Sequence, residues 1–497
     1  MGPRTSRNPL AFNTLPVTLI IVVTYVALFT ALLYTHHVLP SAPDTDAPKR
    51  GLNLTEAWID LDRITDGYHP YNSRRNDGIR EYLLHRIDAI LEQNVPKRKS
   101  RPAYASKPYT PHFSNYTEAN PVTVFSDMQS NITSALGWDL FATVDTAVYF
   151  ESTNIIVYIR GSNDDPKDWW LENTNNIQQD HAAEKRGVLV NAHYDSVSTG
   201  FGATDDGVGV VSILQLIRYF TTPGNRPKRG IVALLNNGEE DGLNGAKAFT
   251  QHPIARFPDT FLNLEGAGAG GRALLFRSTD LEVTRFYKDS PYPFGTVVSA
   301  DGFKRGFVRS GTDYSVFTTK LGLRGLDVAF FEPRARYHTS EDAARRTSRD
   351  SLWHMLSAAV TTLERMTSDI STDFGAGAGS PAVWFDLFGR ILALIGLHSM
   401  FIISISLLVV APIILLGLVA ILRATGKYYL FATTATSDFL DPNAPDEEIN
   451  LDFGGWRGVF RYPIAFVFAS AAVIALALLL TRFNPAIVYS SQYSVWW

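Results

Sequence analysis

The sequence contains no cysteine, and this absence restricts the kinds of site that it can form. Without thiols there is no disulfide framework, no thiolate zinc site, no iron–sulfur cluster and no cysteine nucleophile. Charged residues make up only 19% of the 497 residues, below the roughly 25% of an average soluble protein. Lys and Arg number 45 against 49 Asp and Glu, so the basic excess typical of nucleic-acid-binding proteins is also missing. Any metal must therefore be held by His, Asp and Glu.

Long apolar runs account for the low share of charge. They cover residues 15–34, 398–422 and 463–481. Because about 20 apolar residues span a bilayer, each run predicts a transmembrane helix, with a cleaved signal peptide as the alternative for the first. Arg4 and Arg7 precede the first run, and the positive-inside tendency places residues 1–14 in the cytosol. Residues 383–397 are also apolar and predict an interfacial helix or an extension of the second span.

This topology divides the rest of the chain between the two sides of the membrane. It predicts a luminal domain at 35–382, a cytosolic loop at 423–462 and a luminal tail at 482–497. Asn-x-Ser/Thr sequons occur at Asn53, Asn115 and Asn131, all within the predicted luminal domain. We expect glycans at these three positions, because sequons on that side are accessible to glycosylation. The sequons and the charge rule are independent, and they agree on the orientation.

From residue 187 onward, short apolar runs alternate with segments of helical periodicity. The predicted buried strands are 187–192, 230–235, 260–264 and 326–331, and the longest predicted helices are 208–220 and 348–366. This alternation predicts an α/β fold with a mostly parallel central sheet flanked by helices. In such sheets the ligand site lies outside the carboxyl ends of the strands.

Polar residues follow the predicted strands at those ends. They are His193 and Asp195, Asp205 and Asp206, Glu239 and Glu240, Glu265, and Tyr337 and His338. Histidine and carboxylate ligands without sulfur suit zinc or a similar divalent ion. A pair of ions needs a bridging carboxylate, and a further carboxylate must stay off the metal to act as a general base. A single group of polar residues after a strand commonly belongs to a turn or to the start of a helix. Five such groups in this order predict a single metal-dependent site.

The series His193-x-Asp195, Gly202-Ala203-x-Asp205-Asp206, Glu239-Glu240, Glu265 and Tyr337-His338 resembles the co-catalytic di-zinc aminopeptidase family. The catalytic resemblance covers about residues 187–345, and the surrounding spans are similar to those of the family's fungal vacuolar members. The resemblance implies a metallopeptidase of the vacuole membrane, with its catalytic domain in the lumen and peptides or proteins as substrates. The fungal members continue beyond a third span, so we expect this chain to be a fragment, a truncated gene model or a short form.

The resemblance also implies two zinc ions and a role for each site residue. The implied ligands are His193, Asp205 and Glu265 for one ion, and Asp205, Glu240 and His338 for the other. Glu239 would be the general base that takes a proton from the water shared by the ions, and Tyr337 would stabilise the oxyanion of the transition state. Asp195 would orient the ring of His193. Asp206 would shape the turn after the bridge, and Asp313 would line the site.

Two other functions are compatible with the same fold class. Glutaminyl cyclases resemble this family but use one zinc ion, so a second catalytic ion would argue against cyclase chemistry. The other alternative is a membrane receptor or scaffold with a peptidase-like domain, as in the transferrin receptor. Such relatives lose metal ligands, whereas this sequence retains all five of them together with the candidate base.

Overall fold

The computed structural model describes residues 14–95, 121–136, 146–165, 187–375, 378–426, 434–436, 450–452 and 455–484. The chain divides into two compact units, residues 1–397 and residues 398–497. The first unit contains every candidate metal ligand. The second contains two long apolar helices and a short two-stranded sheet.

The first unit begins with helices α1 (Thr14–His37), α2 (Leu54–Ile64) and α3 (Arg74–Asn94). Strands β1 (Val122–Ser126), β2 (Asn131–Leu136), β3 (Thr146–Glu151), β4 (Ile155–Ile159) and β5 (Gly187–His193) follow. The chain then forms α4 (Val208–Thr221), β6 (Ile231–Asn236), α5 (Asn244–Phe249), β7 (Pro258–Gly266) and β8 (Ala273–Ser278). The last elements are α6 (Leu281–Lys288), α7 (Val297–Lys304), α8 (Asp313–Lys320), β9 (Arg324–Phe330), α9 (Arg349–Ser368), β10 (Ala382–Leu387) and β11 (Ile391–Gly396).

A seven-stranded sheet in the order β1-β4-β6-β5-β7-β9-β8 forms the centre of this unit. The four strands from β6 to β9 in this order run parallel, whereas β1 and β4 at one side of the sheet and β8 at the other edge pair antiparallel. The predicted α/β fold with a mostly parallel central sheet is confirmed. Strands β5, β6, β7 and β9 are buried along their whole length, which is typical of parallel strands covered by helices on both faces.

The two faces of the sheet carry separate hydrophobic cores. Alternate residues of β5 illustrate the division, since Val188 and Val190 belong to one core and Leu189 to the other. Helices α2, α3, α4 and α9 cover the first face, and α5 and α8 cover the second. Because successive strand side chains point to opposite faces, this alternation produces three layers with the sheet in the middle.

Three helices among the described residues are long and apolar enough to cross a membrane. They are the helical segments Leu15–His37, Leu397–Ala424 and Phe460–Phe483, each with no buried residues in its most apolar window. Helix α10 is Leu397–Ala424 and α11 is Gly455–Phe483, and between them lies a small antiparallel pair, β12 (Thr434–Thr436) and β13 (Asn450–Asp452). These helices include the three predicted runs.

The expected helix at residues 383–397 is wrong, because the segment forms the antiparallel hairpin β10–β11. The chain reverses at Phe388 and Gly389, whose φ angles of 53° and 58° lie in the left-handed region. Two consecutive left-handed residues are the geometry of a tight hairpin turn. Helix α10 begins only at Leu397, directly after β11.

Candidate metal centre

The predicted site residues converge at the carboxyl ends of the parallel strands. His193 is the last residue of β5, and Glu265 is the last but one of β7. Glu239 and Glu240 follow β6 after a short turn, and His338 lies in the segment that follows β9. Carboxyl ends of parallel strands meet at one edge of a sheet, so residues far apart in sequence come together there.

The bridging candidate lies in a turn, Ala203–Gly207, that leads into α4. Close packing holds this turn against the end of β7. A Cβ atom at Gly266 would lie 2.1 Å from the carbonyl oxygen of Thr204 and 2.6 Å from the Cα of Asp205. Only glycine fits at position 266, because any side chain there would displace the turn that carries Asp205.

Two groups of three ligand atoms share the carboxylate of Asp205. On one side, His193 Nε2 lies 3.4 Å from Asp205 Oδ1 and 3.3 Å from Glu265 Oε1. On the other side, His338 Nε2 lies 3.1 Å from Asp205 Oδ2 and 3.2 Å from Glu240 Oε2. The two oxygens of Asp205 therefore face different histidines, as a bridging carboxylate requires.

These separations suit tetrahedral zinc. With N and O ligands at about 2.0–2.2 Å from the ion, tetrahedral geometry places the ligand atoms about 3.3–3.5 Å apart. The four separations of 3.1–3.4 Å fall close to that range. Asp205 Oδ2, Glu265 Oε2, Glu240 Oε1 and His338 Nε2 are buried atoms without a hydrogen-bond partner among the described residues. Buried polar atoms of this kind need an ion or a water as partner, and this donor set fits zinc.

The pKa values of the site's carboxylates also bear on whether the site suits cations. Burial, the largest cause, raises the pKa of Glu265 to about 8 and that of Glu240 to about 7. Burial opposes ionisation of Asp205 as well, yet its contacts with His193 and His338 lower its pKa to about 2. Neighbouring carboxylates add to the effect of burial, so the carboxylates of Glu239, Glu240 and Glu265 do not ionise readily together with that of Asp205. Divalent ions bound between these groups would favour the ionised carboxylates.

Glu239 lies beside both ligand groups without belonging to either. Its Oε2 is 4.0 Å from His193 Nε2, and its side chain is 8% exposed. Burial, followed by the negative charge of Glu265, raises the pKa of Glu239 well above its ordinary value. A buried carboxylate with a raised pKa is suited to accept a proton from a water held between the ligand groups.

Asp195 connects His193 to the loop that carries the two glutamates. Its carboxylate accepts the backbone N–H groups of Glu239 and Glu240, each at 3.2 Å. The Nδ1 atom of His193 lies 3.0 Å from the carbonyl oxygen of Asp195 and 3.5 Å from Asp195 Oδ1. The nearest partner of the ring is thus the backbone of Asp195, and the carboxylate mainly fixes the following loop. Both contacts orient the ligands, as partners outside a metal's coordination shell do.

Comparison with known proteins identifies the domain that holds this site. Residues 175–363 match the pattern of Peptidase family M28. The chain contains an M28 peptidase domain. The matched region includes both ligand groups and Glu239, so the family expected from the five motifs is confirmed.

A vacuolar membrane protease of Aspergillus niger is 54% identical to this chain over 508 residues. That alignment covers 100% of this chain and 49% of the relative, so the chain spans about half the length of the curated relative.

Solved structures resemble the M28 domain more distantly. An aminopeptidase from Aneurinibacillus sp. strain AM-1 is 11% identical, covering 64% of this chain and 94% of that one, with a TM-score of 0.41. A Porphyromonas gingivalis glutaminyl cyclase is 14% identical, covering 64% and 99%, with a TM-score of 0.39.

Two further aspartates of the M28 domain support the ligand-bearing segments. Asp206 accepts the backbone N–H of Gly209 at 3.2 Å and so stabilises the turn that enters α4. Asp313, at the start of α8, accepts the side-chain amides of Asn191 at 2.9 Å and Asn236 at 2.7 Å. Burial raises the pKa of Asp313 to about 6. Asn191 and Asn236 belong to β5 and β6, so Asp313 joins the two strands that lead to His193 and Glu239.

Tyr337 packs against a metal-ligand candidate. Its ring stacks on that of His338 with 3.6 Å between centroids, and the guanidinium of Arg334 lies 3.9 Å from the tyrosine ring. Burial, together with the charges of Asp205 and Glu240, raises the pKa of Tyr337. The phenol therefore keeps its proton and can donate a hydrogen bond. His338 itself has φ 60°, a left-handed conformation that is uncommon for a histidine.

Asp342 is a functional candidate that sequence reasoning missed. Its carboxylate accepts the backbone N–H of Thr204 at 3.0 Å, the hydroxyl of Thr204 at 2.7 Å and the backbone N–H of Asp205 at 3.2 Å. It lies four residues after His338 in the same segment. Asp342 thus joins the turn that carries the shared ligand to the segment that carries His338. The only local feature of the sequence that could have identified Asp342 is its position four residues after His338.

Replacing Asp342 with Ala is expected to reduce the free energy of unfolding by about 1–3 kcal/mol, because it leaves buried N–H and hydroxyl donors without a partner. Urea denaturation followed by circular dichroism measures the change. Glu341→Ala is the matched control, since Glu341 forms only exposed ion pairs with Arg345 and Arg346. The control should stay within about 0.5 kcal/mol of the unmodified protein. Equal stability of the two variants would contradict the proposed link between the segments.

Proposed function

We propose that this protein is a membrane-anchored, zinc-dependent peptidase that removes N-terminal residues from peptides. The observation that carries the proposal is the pair of ligand groups that share Asp205, with Glu239 beside them. The M28 match supports peptide-bond hydrolysis, and the motif resemblance described above supports the preference for N-termini. Two complete ligand groups also favour a two-zinc peptidase over a one-zinc cyclase or a receptor that has lost ligands.

His193, Asp205 and Glu265 would hold one zinc ion, and Asp205, Glu240 and His338 would hold the other. Bound there, zinc would polarise the scissile carbonyl and lower the pKa of a shared water to about 7. Glu239 accepts the proton of the attacking water and transfers it to the amine that leaves. Tyr337 donates a hydrogen bond to the oxygen that becomes negative in the transition state. Asp195 holds Glu239 and His193 in position throughout.

The test is an assay of the full chain in detergent or lipid nanodiscs against a panel of peptides with free and with acetylated N-termini. Release of the first residue from the free peptides only, lost with a zinc chelator and restored by zinc, is the expected result. Cleavage inside both peptide types would indicate an endopeptidase. Cyclisation of N-terminal glutamine without peptide hydrolysis would replace the proposal with cyclase chemistry. A zinc-loaded protein that processes no peptide would indicate a binding role.

We also propose that this protein lies in the vacuole membrane, as the name of the Aspergillus niger relative suggests, and that its catalytic domain faces the lumen, which the sequons and the positive-inside tendency support. Among the sequons, Asn131 is exposed at the start of β2. Asn53 is the N-cap of α2, and its Oδ1 accepts the N–H of Glu56, so the contact does not use the nitrogen that carries a glycan. Asn115 lies outside the described residues.

Glycans at these positions should be visible as a change in electrophoretic mobility. Glycosidase digestion of the protein from a eukaryotic host is expected to increase its mobility, and Asn53→Gln and Asn131→Gln should each remove one glycan before digestion. Position 115 is tested in the same way with Asn115→Gln. Identical mobility with and without the glycosidase would contradict the luminal orientation.

A further inference from the structure

The hairpin β10–β11 is apolar on its outward face and, apart from Asp386, on its inward face as well, which is unusual for a strand pair at a protein surface. The side chains of Trp384 and Leu392 point inward and are 2% and 1% exposed. The alternate positions point outward, and every one of them is apolar: Val383, Phe385, Leu387, Ile391, Ala393 and Ile395. A sheet that is covered on one side and faces water on the other normally carries polar residues on its outer face.

The outward face is open to its surroundings in the described structure. Phe385 is 38% exposed, Leu387 44% and Ile391 59%, and Phe388 at the turn is 42% exposed. The inward face packs against α6 and α7 of the catalytic unit. A contiguous exposed apolar surface of this kind marks a site of contact with a protein, a ligand or a membrane.

Both ends of the hairpin are connected to membrane-crossing candidates. At the turn, a Cβ atom on Gly389 would lie 3.2 Å from Cγ2 of Thr35, which belongs to the last turn of α1. At the other end, Gly396 is followed directly by Leu397, the first residue of α10. The six residues of each strand separate these two ends by about 20 Å at 3.3 Å per residue.

Polar contacts attach the end of α1 to the catalytic unit beside this hairpin. Arg272 donates from Nη2 to the carbonyl oxygen of Val38 at 2.8 Å, and His36 Nε2 lies 2.8 Å from Glu332 Oε1. These contacts join the residues at the end of the first apolar helix to the catalytic unit. The turn of the hairpin therefore lies beside the residues at which the apolar helix α1 ends.

We propose that the outward face of β10–β11 lies on the bilayer, so that the catalytic unit rests on the membrane along the hairpin. The bilayer fits better than a protein partner, because the face begins where one apolar helix ends and finishes where the next one starts. Arg390 at the turn is exposed and adds a positive charge suited to lipid phosphates. This proposal concerns membrane contact and does not depend on the peptidase activity.

The absence of cysteine in the sequence makes a direct test possible, since one introduced cysteine is the only labelling position. Leu387→Cys and Ile391→Cys place a nitroxide label on the outward face, and Met128→Cys provides a control at another exposed apolar residue. Each full-length variant is reconstituted in vesicles of phosphatidylcholine and phosphatidylserine. Electron paramagnetic resonance then measures the collision of each label with oxygen, which enters bilayers, and with a water-soluble nickel complex.

Labels at positions 387 and 391 are expected to collide several-fold more with oxygen than with the nickel complex, and the label at 128 should show the opposite preference. All three positions are exposed, so circular dichroism should show an unchanged fold. Nickel accessibility at 387 and 391 equal to that at 128 would overturn the proposal, because the face would then be in water. Protection from both reagents would also overturn it, since another protein surface would then cover the hairpin.

Discussion

Glu239→Gln is expected to lower kcat by about 10²–10⁴-fold, the usual contribution of a general base. Glutamine keeps the size of the side chain but cannot accept the proton of the attacking water. The zinc content should not change, because Glu239 belongs to neither ligand group. Steady-state kinetics with a peptide substrate, together with elemental analysis of the same preparation, measures both quantities.

The control for this variant is Asp241→Asn, a substitution of the same type two residues further along the same loop. Asp241 is exposed, and the groups near the zinc ligands do not include it. The kcat of this control should stay within a factor of about two, since a substitution at an exposed residue outside the ligand groups has a small effect. A Glu239→Gln protein that keeps both its zinc and its turnover would assign the proton transfer to another group. Loss of zinc in that variant would instead make Glu239 a ligand.

The strand ends explain why much of the site is predictable from the sequence. Strands β5, β6, β7 and β9 are buried on both faces, so their sequences are mostly apolar and are followed by polar residues. Each run therefore marks both a strand and the position at which its functional residues emerge. The resemblance to a known family then assigns the individual roles, which the apolar runs alone leave open.

Contacts between distant segments account for what the sequence does not predict. Asp342 bonds to Thr204 across 138 positions, and Asp313 bonds to Asn191 across 122. No local periodicity or motif reports such a pairing. The helix expected over residues 383–397 is wrong for a different reason, because strands that are apolar at nearly every position lose the alternation that distinguishes a strand from a buried helix. Gly389 is the local signal for the reversal, because glycine adopts the left-handed conformation of a hairpin turn without steric cost.

Asp205→Ala is expected to remove both zinc ions, whereas His338→Ala should remove one. The carboxylate of Asp205 belongs to both ligand groups, while His338 belongs only to the second. Elemental analysis of purified variants should therefore give two zinc ions per chain for the unmodified protein, one for His338→Ala and none for Asp205→Ala. The Asp241→Asn protein again serves as the control and should retain two.

The burial of the two groups predicts the order in which the ions leave. The side chains of His193, Asp205 and Glu265 are 1–4% exposed, whereas that of His338 is 36% exposed. Water and a chelator therefore reach the ion at His338 first, and titration with a chelator should show two separate steps of zinc release. Each ion present at about 1,000 times its Kd contributes about 4 kcal/mol to folding, so each step should also lower the unfolding temperature.

One zinc ion in the unmodified protein, or the same zinc loss in both variants, would contradict a shared Asp205. The alanine variant at position 205 keeps the backbone N–H that Asp342 accepts, so a folded protein without zinc would trace the loss to the bridging carboxylate itself.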